Sequence, residues 1–159
     1  MILNRQRSVR LSTRALESFL LRVRRELGLK QAQVTVCLVS DAEIAGMNQS
    51  FRKKHGPTDV LSFPAVKDRQ AKRSKLLPLS LAPVSVDPDC LDTDASLGDI
   101  AIAPAVAKRN AKSYGRTLPA ELKILILHGV LHLLGFDHEA DRGEMDRTEK
   151  KLRRRLGLA

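Results

Sequence analysis

The stretch His128–His138, HGVLHLLGFDH, holds three of the four histidines in a chain of 159 residues. His128 and His132 are four positions apart in an apolar run with helical character. That spacing puts both imidazoles on one helix face, one turn apart, as a shared metal ion requires. Gly135 follows three residues later and suits the left-handed conformation that ends a helix and reverses the chain. His138, three residues further on, can then fold back against the first two. Three neutral nitrogen donors with the fourth tetrahedral position left to water make a catalytic zinc site, whereas a structural site takes four protein ligands. A histidine on an apolar helix is ordinarily a core residue with a hydrogen-bond partner. Burying several imidazoles among Leu, Val and Ile without a shared partner is costly, and a metal removes that cost. Three imidazoles and no thiolate suit zinc, one ion per chain, ahead of nickel, copper or iron.

The spacing H-x-x-x-H-x-x-G-x-x-H is that of the metzincin peptidases, with one departure. Those enzymes carry Glu directly after the first His as general base, and this chain has Gly129. The metal geometry survives while the peptidase's proton acceptor is missing, which disfavours peptide hydrolysis by the usual route. Asp137, next to His138, is a candidate to take a proton, although orienting a ligand or shaping the turn suits it better. His55, Asp59 and Asp99 are weaker candidates for a base, each with a turn or capping role open to it.

The elements that must position these residues can be read from periodicity. Residues 12–27 form an amphipathic helix capped by Ser12. Leu16, Phe19, Leu20, Val23 and Leu27 lie on one face and Arg14, Arg22, Arg24 and Arg25 on the other. QVTVCLV (33–39) alternates like a strand. Asp41 caps a second helix with Ile44, Met47 and Phe51 on one face, ended by His55, Gly56 and Pro57. Val60–Phe63 and LGDIAIA (97–103) are strands. A helix runs from Pro104 to Gly115. Thr117 caps the histidine helix, which is apolar on nearly every face up to Leu134 and therefore buried. A last helix covers about 141–156. Its end carries Lys150, Lys151, Arg153, Arg154 and Arg155, which serve either as a solvated helix end or as a phosphate-contacting patch. Helices and strands mix without strict alternation, which points to an α+β layer fold, a small mixed sheet packed with helices.

The size favours one domain, residues 1–159. Residues 65–96 keep no period; a basic run (Lys67 to Lys75) precedes an acidic one (Asp87 to Asp94), and they read as an inserted, mobile loop. The formal net charge of +10 draws the protein towards polyanions such as RNA, DNA or an anionic membrane surface. Aromatics make up 3% of the chain, so RNA binding should rest on phosphate contacts more than on base stacking. Cys37 and Cys90 form no C-x-x-C pair, and Cys37 reads as a buried free thiol in its strand. No run reaches the ~18 apolar residues of a membrane span, and no secretory signal is evident, so the cytoplasm and no membrane partner are expected.

Taken as motifs, HGVLHLLGFDH fits throughout the pattern H-G-x-L-H-L-x-G-[YF]-D-H. MNQSFRKKHGPTDVLSFP (Met47–Pro64) fits N-x-x-[FY]-R followed by T-[DN]-V-L-S-F-P, LGDIAIA carries L-G-D-I, and Glu144–Met145 an E-M pair. The chain thereby resembles the YbeY family of bacterial rRNA maturation factors, described as single-strand-specific endoribonucleases, from about residue 32 onwards. The stretch 65–96 is longer than the connection expected there. The resemblance implies that the three histidines bind zinc and that the fold is a relative of the zincin peptidases. It also implies a link to maturation of the 3′ end of 16S rRNA on the small ribosomal subunit and to ribosome quality control. By itself Arg52 reads as an exposed helix arginine. The resemblance makes it the candidate guanidinium for charge developing on a transferring phosphoryl group. The rivals are a different zinc hydrolase and a non-catalytic ribosome-assembly factor with a structural zinc.

Overall fold

The computed structural model describes residues 1–29, 31–65, 96–138 and 141–158. Among the described residues nine elements follow in chain order: β1 (Ile2–Asn4), α1 (Thr13–Glu26), β2 (Gln33–Leu38), α2 (Asp41–Arg52), β3 (Val60–Pro64), β4 (Ser96–Ile102), α3 (Pro104–Ser113), α4 (Leu118–Leu133) and α5 (Glu144–Leu156). The strands form one sheet in the order β1-β2-β4-β3. β2 is parallel to both β1 and β4, and β3 is antiparallel to β4. This is the expected α+β arrangement with a mixed sheet.

Alternation along β2 divides the core. Val34, Val36 and Leu38 of β2, with Ile100 and Ile102 of β4, are buried against α1, α4 and α5. The opposite face carries a smaller cluster in which Ile44 of α2 meets Val39, Leu61 and Ala101, with Cys37, Met47 and Phe63 at its edge. This second face is only partly covered. It keeps a groove of about 250 Å³ lined by Arg5, Cys37, Met47, Phe51, Phe63 and Asp99 among others. Cys37 is consequently half-buried, not buried as its apolar run suggests, and burial followed by the nearby Asp99 carboxylate pushes its thiol pKa up.

Four further details differ from the sequence reading. β1 was not expected; three residues are too few for a periodic signal, and its parallel pairing with β2 is supplied by the fold. Ser40, not Asp41, caps α2, through a capping box in which its hydroxyl accepts from the Glu43 N–H while Glu43 accepts from the Ser40 N–H. That helix ends at Arg52, with Lys53 in the left-handed region, ahead of His55. α5 begins at Glu144, because Asp141 and Gly143 form the turn that starts it.

Of the stretch 65–96, read as a mobile insertion, residues 66–95 lie outside the described residues, and Cys90 with them. Its two ends meet. Phe63 pairs with Asp99 and Pro64 with Gly98, and the Ala65 N–H donates to the Leu97 carbonyl at 3.1 Å. The chain therefore leaves and re-enters the sheet at one place, away from the histidine helix in sequence.

Candidate metal centre

α4 is built to be held rigidly. Thr117 caps it, accepting from the Ala120 N–H, and a proline occupies its first turn. Glu121, also in that turn, is buried and paired with Arg116 at 2.9 Å. Ten of its residues are buried, including Ile126, Leu127, Val130 and Leu131, so packing on several sides fixes the helix. Towards its end the helix lies directly on the sheet. A Cβ at Gly129 would stand 2.8 Å from two side-chain carbons of Ile100, and the Ser62 hydroxyl donates to the Gly129 carbonyl at 3.3 Å. The position after the first histidine therefore has no room for the glutamate of the metzincin peptidases.

The helix stops as its sequence predicts. Gly135 adopts φ 85°, its N–H donates to the His132 carbonyl at 2.7 Å, and the Phe136 N–H donates to the Leu131 carbonyl at 3.0 Å. This is a Schellman turn, with Phe136 packed against the core beyond it. The chain then brings His138 back. One donor atom from each of His128, His132 and His138 lies within 4.8 Å of the other two, and the three are positioned to hold a metal ion. The Nε2 atoms of His128 and His132 face each other at 3.1 Å.

The surroundings suit a cation. Nδ1 of His128 lies 2.8 Å from Oε2 of Glu149 on α5, and the other Glu149 oxygen accepts from Arg153. A carboxylate on Nδ1 holds the ring proton there and leaves the Nε2 lone pair free to ligate. Burial pushes the Glu149 pKa up, but the His128 hydrogen bond and the Arg153 charge outweigh it and keep the carboxyl below the usual glutamate range. Burial and then the positive potential of His128 and His138 lower His132 to about 4, so its ring is neutral at pH 7. A neutral imidazole with a free lone pair is a donor that zinc and related divalent ions take.

The family model for endoribonuclease YbeY matches residues 1–157. The chain belongs to the YbeY family. Endoribonuclease YbeY of Koribacter versatilis (strain Ellin345) is 40% identical over 158 residues, 99% of this chain and 86% of that protein. Endoribonuclease YbeY of Solibacter usitatus (strain Ellin6076) is 38% identical over 91% of this chain and 79% of its own length. The solution structure of TM1509 from Thermotoga maritima superposes with a TM-score of 0.59 at 26% identity, covering 98% of this chain and 89% of that one.

Set against that YbeY membership, the structure brings His128, His132 and His138 together, with Asp137 between the Schellman turn and His138. The Asp137 carboxylate acts on His132 electrostatically, raising its pKa, and its backbone carbonyl accepts from the Asp141 N–H at 2.8 Å. Arg52 stands on a different element, exposed at the end of α2 beside Phe51, whose ring meets Phe63 at 4.9 Å. Asp59 is occupied structurally: it accepts from the Val60 N–H and from the Asn110 amide. His55 is exposed, and Asp99 faces the groove on the sheet's second face. Sequence reasoning missed Glu149. Its signal was a Glu four residues before Arg153 on the buried face of an amphipathic helix, a position where a carboxylate requires a partner.

Proposed function

We propose that the chain is a zinc-dependent endoribonuclease that cuts single-stranded RNA in the cytoplasm, acting in 3′-end maturation of 16S rRNA on the small ribosomal subunit and in ribosome quality control. The observation that carries the reading is the convergence of three imidazole donors within 4.8 Å, one of them oriented by Glu149. The names of the relatives and the net charge of +10 support RNA as the substrate. No helix among the described residues is long and apolar enough to cross a membrane.

In this reading His128, His132 and His138 hold the ion. When bound, zinc supplies Lewis-acid chemistry, acidifying water and polarising a phosphoryl oxygen. Asp137 keeps His132 and His138 oriented and is placed to hold a proton released near them. Arg52 binds a phosphate of the strand and stabilises the charge that builds on the transferring phosphoryl group. Glu149 keeps the His128 lone pair directed inward. Gly129 leaves no carboxylate base directly after the first histidine in the chain, which separates this site from a peptidase's.

Metal content and cleavage of single-stranded RNA, measured on the same preparations, test the proposal. The intact protein should carry one zinc and cleave. His128→Ala should lose both the metal and the activity, and Arg52→Glu should keep the zinc and cleave at least tenfold more slowly. Equal cleavage by His128→Ala would assign the activity to another protein, and loss of zinc from Arg52→Glu would remove Arg52 from the role given to it.

A further inference from the structure

The six cations of α5 fall into two sets that the structure separates. Arg153 turns inward onto Glu149, and Arg155 pairs with Glu26 of α1. Arg147, Lys150, Lys151 and Arg154 are exposed. At 100° per residue, Arg147, Lys151 and Arg154 follow i, i+4 and i+7 and share one face, with Lys150 beside them. Met145, Glu149, Leu152 and Leu156 fill the opposite face and are buried. The outward face of α5 is thus a line of cations about 10 Å long at 1.5 Å rise per residue. Acidic side chains border it: Asp146, 3.7 Å from Lys150, at its middle, and Glu144 and Asp141 at its start, the latter interacting with Arg147. The line runs along the solvent side of the helix whose buried side carries Glu149, the residue that contacts His128. At its far end it reaches α1, where Arg22 donates to the Leu156 carbonyl at 3.3 Å and adds a further exposed cation.

We propose that this face binds the phosphates of a single-stranded RNA, with Lys151 and Arg154 as its principal contacts and Arg22 at its end. The inference rests on the reading of the site as a ribonuclease centre and extends it to a second surface, on the solvent side of α5. Charge complementarity argues for a polyanion. A membrane surface fits less well, because an interfacial helix inserts its apolar face, and the apolar face of α5 is already spent in the core. RNA needs only the exposed ammonium and guanidinium groups, which agrees with a chain poor in aromatics.

The test is binding of a labelled 2′-O-methyl RNA strand of about 20 nucleotides to the zinc-loaded protein across a salt series. It compares Lys151→Glu/Arg154→Glu with Lys108→Glu/Lys112→Glu, two reversals at exposed positions of α3. The α5 variant should bind at least tenfold more weakly, with a log–log salt slope shallower by about 1.4 at roughly 0.7 per phosphate lost. Its zinc content and melting temperature should be those of the intact protein. The α3 variant should bind nearly as the intact protein does. Equal weakening in both variants would reduce the effect to net charge and overturn the proposal. So would unchanged RNA binding in the α5 variant together with lost binding to phosphatidylserine vesicles. If the intact protein fails to bind RNA at all, the ribonuclease reading falls as well. If it binds and the α5 variant binds equally, only the α5 face falls.

Discussion

Glu121 and Glu149 make an instructive pair, one in the first turn of the metal-binding helix and one on the helix packed against it. Both are buried carboxylates, 3% and 7% exposed, and both are met by an arginine. Glu121 sits in the first turn of α4 and pairs with Arg116, five residues earlier in the chain. It closes a local turn and favours the helix dipole, and it touches no candidate ligand. Glu149 comes from another helix, 21 residues after His128, and spends one oxygen on Arg153 and the other on the imidazole. The same side chain, similarly buried and similarly paired, is structural in the one place and tied to the metal centre in the other. Burial and an ion pair alone do not mark a functional carboxylate; the third partner does.

That comparison can be broken experimentally. The largest difference is expected in metal affinity. Glu149→Ala should weaken zinc binding about 10- to 100-fold in a chelator competition, while Glu121→Ala leaves it unchanged. Glu149→Gln, whose amide oxygen still accepts from Nδ1, should fall between them. Equal losses from Glu149→Ala and Glu121→Ala would make both residues merely structural. In stability the order narrows. Each alanine variant strands a partly exposed arginine and should cost about 1–3 kcal/mol, read as a lower melting temperature.

The smallest effect concerns the turn that places α5, and through it Glu149. The Asp141 carboxylate accepts from the N–H groups of Gly143, Glu144 and Met145. Desolvation raises its pKa, but those three hydrogen bonds and the nearby Arg147 outweigh it and hold the carboxyl below the usual aspartate value. A depressed carboxylate stabilises the fold above its unfolded pKa, and that stability is lost as pH falls through the folded value. Asp141→Asn should therefore melt at a slightly lower temperature at pH 7 and converge with the intact protein in acid. A difference that persists in acid would assign the effect to something other than the carboxylate's charge.

The histidine site was legible in the sequence because everything that builds it is local. A four-residue spacing fixes two rings on one helix face, and Gly135 fixes where the chain turns back. The buried helix was legible for the same reason, as a nearly continuous apolar run, and β2, β3 and β4 as short alternating or apolar ones. What escaped depends on pieces distant in the chain. Glu149 becomes meaningful only when α5 packs against α4. β1 is three residues given order by β2. Cys37 is half-buried because α2 covers its side of the sheet incompletely, which no periodicity reveals. Gly129 is a mixed case. Its departure from the peptidase pattern was visible, but the 2.8 Å approach of Ile100 that leaves no space for a side chain there was not.

The account depends on a metal held by three imidazoles with one position left to solvent. The zinc K-edge X-ray absorption spectrum of the loaded protein tests this directly. It should show three imidazole nitrogens at about 2.0–2.1 Å and one exchangeable oxygen. A sulfur scatterer, or a fourth protein ligand that excludes the exchangeable oxygen, would contradict it and make the ion a structural one.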